Sequence, residues 1–81
     1  MSDTHTHRKA LAQLAAGDWA GAHRLTQELD DHLAAWLHAH LHRVEGDLGN
    51  AAYWYHRAGM ESRADDLKTE FKDLERVCAA S

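Results

Sequence analysis

The block Gly17-Asp18-Trp19-Ala20-Gly21-Ala22 returns 29 positions later as Gly46-Asp47-Leu48-Gly49-Asn50-Ala51. Each copy ends one alanine- and leucine-rich stretch and opens another. Glycine closes a helix readily because, without a Cβ, it takes the left-handed conformation at little steric cost. An aspartate directly after it can accept from the free N–H groups of the next helix. The duplication therefore predicts two helical hairpins in series. The chain has no proline and no isoleucine, and no stretch alternates apolar with polar residues, so strands are disfavoured. The expected fold class is all-α: two stacked antiparallel hairpins followed by a C-terminal capping helix.

The expected boundaries are residues 3–29 for hairpin 1, 31–59 for hairpin 2 and 62–79 for the cap, all in one domain. The first helix runs from Asp3 or Thr4 to Ala16 with Leu11, Leu14 and Ala15 as its apolar stripe. Asp18 caps the second, which carries Trp19, Ala22, Leu25 or Thr26, and Leu29. After the Asp30-Asp31 break, the third carries Leu33, Leu37, Leu41 and Val44, with His32, Trp36 and His40 on a flanking stripe. Asp47 caps the fourth, which buries Leu48, Ala51, Tyr55 and Ala58. The last helix opens near Ser62, where Ser62 and Asp65 resemble a capping box. Its apolar positions Ala64, Leu67, Phe71, Leu74 and Cys78 are spaced 3, 4, 3, 4. The other face, with Arg63, Asp66, Lys68, Glu70, Lys72, Asp73 and Arg76, reads as solvated. So regular a seam also suits a coiled coil; under three heptads long, it is assigned to capping.

The run from Gly46 to Gly59 resembles the tetratricopeptide and Sel1-like helical repeats. Ala51, Tyr55 and Ala58 stand where those families place small, aromatic and small residues after a Gly-Asp-like turn, and Ala51 to Ala58 is similar to the Sel1 type. The resemblance covers about fourteen residues. The first copy has Thr26 at the aromatic place, and the period of 29 is shorter than those families use. The resemblance implies a tetratricopeptide-like domain that binds other proteins.

Charge narrows the function. The formal net charge is −4, and basic and acidic residues are interleaved, so no phosphate-binding face is expected and nucleic acid is disfavoured as a partner. No apolar run is long enough for a membrane span, and the first residues lack the apolar core of a secretory signal. The single cysteine, Cys78, suits a reducing compartment, and the cytoplasm is the expected location. Serine is found only at positions 2, 62 and 81, and every glycine has a turn or packing role. Neither a serine nucleophile nor a phosphate loop is visible, and the chain reads as no enzyme, with no cofactor.

Two functions remain. The first is a small protein–protein interaction module, an adaptor or accessory subunit that binds a protein partner or self-associates as a homodimer. Trp36 and His40 on one stripe, and Tyr53 with Arg57 one turn on, are its candidate exposed contacts, and Trp36 fits equally well as a core residue packed on the last helix with the histidines at its border. The second is a histidine-based transition-metal binder or sensor. The chain has eight histidines. His38 and His42 are one helical turn apart, roughly 6 Å between Cβ atoms, and Glu45 extends their face. Such a trio could hold Zn²⁺, Ni²⁺ or Cu²⁺ with a further ligand from His23, His56 or Asp47. Without that ligand, His38 and His42 are expected to face solvent opposite Leu37 and Leu41.

Overall fold

The computed structural model describes residues 4–80. Five helices follow one another: α1 (His5–Ala15), α2 (Trp19–Gln27), α3 (His32–Glu45), α4 (Leu48–Arg57) and α5 (Leu67–Ala80), with no strand among the described residues. The alternative helix start at Asp3 lies outside the described residues. Thr4, just before α1, donates its hydroxyl to the Cys78 carbonyl at 2.8 Å and so ties the start of the fold to its end.

Local chemistry sets the turns. Gly46 sits at φ 86°, in the left-handed region, and the Asp47 N–H donates back to the His42 carbonyl at 2.9 Å, occupying one of the free carbonyls of α3. The first copy repeats this at Gly17, φ 88°. Asp18, Asp31 and Asp47 then cap α2, α3 and α4 by accepting from the N–H groups of Gly21, Ala34 and Asn50. A Cβ on Gly21 would lie 2.3 Å from the Asp18 carboxylate, so this cap requires a bare residue there.

Helix α1 packs on α2, α2 on α3, and α3 on α4, while α5 lies against α3 and α1. Helix α3 is therefore central, and its buried residues run unbroken from Leu37 to His42. The main core gathers Ala10, Leu11, Ala22, Leu37, Leu41, Leu74 and Cys78. A smaller core, Ala39, Ala51 and Tyr55, lets α3 and α4 approach closely because two of its three members are alanine.

Three expectations are corrected. The last helix begins at Leu67, not near Ser62: the side chain of Asp66 accepts from the Thr69 N–H at 2.8 Å and supplies the cap. Residues 58–66 are a non-helical connection, partly held by Arg63 on Asp65 and Asp73, so Ala64 is exposed. Leu48 is 68% exposed, because the stripe it shares with Ala51 and Tyr55 overruns the core at the hairpin end and nothing covers it. Glu70, assigned to the solvated face of the last helix, is fully buried.

Candidate metal centre

Helix α3 carries histidines at positions 38, 40 and 42. Each residue turns a helix by about 100°, so His38 and His42 share one side and His40 faces away from them. The two sides have become two different polar clusters.

On the α5 side, Glu70 accepts from the Trp36 indole (2.9 Å), from Arg43 (2.7 Å) and from the Tyr55 hydroxyl, and it pairs with His40 Nδ1 at 2.6 Å. The partners come from α3 and α4, so one carboxylate clips α5 to both. Burial alone would raise the Glu70 pKa, but hydrogen bonds from His40, Tyr55 and Trp36 and the charge of His40 hold it down at about 2. The same carboxylate keeps the Tyr55 phenol well above its ordinary value, with burial the larger cause. This cluster corrects one expectation and bears on a second that the sequence leaves open. His40 is 1% exposed and is no surface contact. Trp36 is half-buried between the two cores, with its indole N–H spent on Glu70.

On the other side, His38 and His42 are buried, not solvent-facing, because α2 and α4 close over them. His23 comes in from α2, and its Nε2 lies 2.9 Å from His38 Nε2. The rings of His38 and His42 stack at 5.0 Å, and that of His23 meets both edge-on. Two indoles wall the trio. Trp19 lies flat on His23 at 4.8 Å, and Trp54 flat on His38 at 3.8 Å. Trp19 is itself fixed by donating to the Leu41 carbonyl at 2.7 Å. Each of the three histidines offers a ring nitrogen within 4.8 Å of the other two.

Glu45 has a different place from the expected one. Its carboxylate takes the Nδ1 of His42 at 2.5 Å. That bond holds the Nδ1–H tautomer and leaves Nε2 as the lone-pair nitrogen, the arrangement that carboxylates impose on metal-binding imidazoles. Asp47 lies near His42 and Glu45, but both its oxygens serve Asn50 at the start of α4. His56 is exposed on α4 and is not among the grouped ligands.

Electrostatics favour the neutral imidazole at His38 and at His23. Burial first, then the neighbouring His23 and His42, push the His38 pKa down to about 4. Burial and His42 likewise lower that of His23. Neutral imidazole is the form that binds a metal. The contact between His23 and His38 needs one proton between two nitrogens. An ion bonded to both at about 2.0–2.1 Å would replace that proton and spread them to roughly 3.4 Å, a movement of about half an ångström.

Tyr53 and Arg57 lie on the outer face of α4. Tyr53 is 51% exposed, and Arg57 donates to its hydroxyl at 2.9 Å with the guanidinium 5.3 Å from the Trp54 ring centroid. They stand behind Trp54, apart from the Trp36 and His40 cluster, so the four candidate contacts do not form one surface. The third imidazole, His23, was visible in the sequence only as one of several possible extra ligands. Its single local signal is its place one turn after Trp19. No family model, no curated protein and no solved structure matches the chain.

Proposed function

We propose that this protein binds one transition-metal ion through His23, His38 and His42, with Glu45 orienting His42 from behind. The observation that carries the reading is the convergence of three ring nitrogens from two hairpins, inside a wall of two indoles. The reading is of a metal-binding protein or sensor, with no reaction attached. Calorimetric titration of Zn²⁺ or Ni²⁺ into chelator-treated protein should give one ion per chain. The double variant His38→Ala/His42→Ala should bind at least a hundredfold more weakly. At a free ion concentration of a hundred times Kd, stability should rise by about 2.7 kcal/mol. For a domain this small that is a rise in Tm of roughly 10 °C or more. Weak affinity that the double variant leaves unchanged ends this reading.

A second reading, the protein-interaction module, has one observation in its favour. Two apolar hollows of about 330 and 310 Å³ run together where α5 crosses α1 and α3, sharing Ala15 and Phe71. Leu14, Val44 and Leu67 extend them at the surface. In this reading the hairpins are tetratricopeptide-like, and what supports that is their sequential packing with Ala51 and Tyr55 at the α3–α4 contact. The docking face would then be the α1–α5 furrow, not Tyr53 and Arg57. Light scattering coupled to size exclusion should show a dimer that Leu67→Asp converts to monomer; a monomer throughout removes the homodimer form of this reading.

A further inference from the structure

Independently of any metal, we propose that the furrow between α1 and α5 binds a medium-chain fatty acid, its carboxyl group on His40 Nε2 and Lys68 and its alkyl chain laid along α5 toward Ala79. The anchor is a histidine with one nitrogen spent and one spare. Glu70 takes His40 Nδ1 at 2.6 Å. The other ring nitrogen, Nε2, has no hydrogen-bond partner, although the residue is only 1% exposed. Among the described residues, the one buried side-chain polar atom both sealed from solvent and unpaired is Nδ1 of His7. His40 Nε2 therefore still meets open space. The space beside its ring is the hollow formed with Leu14, Val44, Leu67 and Phe71. A lone hydrogen-bonding atom set in an apolar wall fixes the polar end of a ligand that is otherwise apolar.

Charge selects that polar end. Lys68 lines the same hollow, and no carboxylate does. A carboxyl group suits both neighbours. One oxygen accepts from the Lys68 ammonium, and a single proton lies between the other oxygen and His40 Nε2, whichever of the two holds it. At the far end of the furrow Arg8 and Glu75 stand together with opposite charges, so that end attracts an anion less. Shape selects the chain. The hollows of about 330 and 310 Å³ meet at Ala15 and Phe71. Leu67 and Ala79 mark the two ends and are twelve residues apart, about 18 Å of helix. Ala12, Ala15 and Ala79 contribute only methyl groups to the walls, which leaves a long, narrow, apolar track. An extended alkyl chain fills such a track, and each methylene it takes out of water adds to affinity.

The test is calorimetric titration of decanoate, below its micelle-forming concentration, into the whole metal-free chain. The expected result is one decanoate per chain, bound at least tenfold more tightly than hexanoate and at least tenfold more tightly than decyltrimethylammonium. The imidazole nitrogen signals of His40 should shift in the NMR spectrum as decanoate is added. Ala15→Trp, which places an indole where the two hollows meet, should abolish binding, and Lys68→Glu should weaken it at least tenfold. Both positions are exposed, so the far-ultraviolet circular dichroism should be unchanged. Ala52→Trp, on the exposed face of α4, should leave binding unaltered. Decyltrimethylammonium bound as tightly as decanoate, or His40 signals that stay still at saturation, overturns the placement of the carboxyl group. No saturable binding of decanoate, or binding that Ala15→Trp leaves intact, overturns the site. A dimer by light scattering that takes up no decanoate also overturns it and gives the furrow to a second copy.

Discussion

Glu70→Ala is expected to lower the free energy of unfolding by about 3–5 kcal/mol. For a chain of this length the total is only about 4–12 kcal/mol, so the variant should be substantially unfolded at 37 °C. The cause is what remains, more than what is removed. Without the carboxylate, the Trp36 indole and the Tyr55 hydroxyl each lose the acceptor that now takes them, His40 loses its partner, and the Arg43 guanidinium keeps only Asp65. Unmade bonds to buried donors cost far more than the made bonds contribute, and a buried unpaired charge costs most. Helix α5 would also lose its polar attachment to α3 and α4, keeping its apolar one to α3 through Leu74 and Cys78. Glu70→Gln, which keeps the volume and one acceptor oxygen, should fall between the two. Urea unfolding followed at 222 nm decides it: a loss below about 1 kcal/mol for Glu70→Ala would mean that this cluster is not what fastens α5.

Acid should unfold the metal-free protein in two stages. The His38 pKa is depressed from 6.5 to about 4. Between those values the unfolded chain binds a proton that the folded chain refuses. Stability from this group is therefore complete above pH 6.5, and it is lost as pH falls toward 4. A shift of that size corresponds to about 3 kcal/mol. His23, also depressed, acts in the same direction. Glu70 follows at lower pH: held down at about 2 against 4.5, it contributes stability above pH 4.5 that disappears as pH falls toward 2. Urea midpoints measured with a chelator present should drop steeply from pH 7 to pH 4.5. His38→Phe, which preserves the stack on Trp54, should flatten that first stage and leave the second. A midpoint constant from pH 7 to pH 4.5 contradicts the burial of neutral imidazoles.

The parts of this structure legible in the sequence are those decided within four residues. Gly17 and Gly46 terminate helices, and Asp18, Asp31 and Asp47 cap the next ones, because each needs only its own neighbours. The pairing of His38 with His42 was legible for the same reason. What was not legible depends on packing between distant segments. Glu70 sits where helical periodicity predicts a solvated residue. It is buried because Trp36, His40, Arg43 and Tyr55, 15 to 34 positions away, provide donors that no local pattern announces. Likewise, the choice of His23 over His56 or Asp47 as third member follows from how α2 docks on α3. The start of α5 was misplaced because Ser62 and Asp65 imitate a cap, while Asp65 is in fact bound to Arg63 and the true cap is Asp66.

The most direct test is a crystal structure of the copper- or zinc-loaded chain with diffraction measured on either side of the metal absorption edge. One strong anomalous peak is expected within about 2.0–2.1 Å of a ring nitrogen of each of His23, His38 and His42, with Glu45 still on His42 Nδ1. A peak confined to His5, His56 or another surface residue, with His23 still hydrogen-bonded to His38, would contradict the assignment.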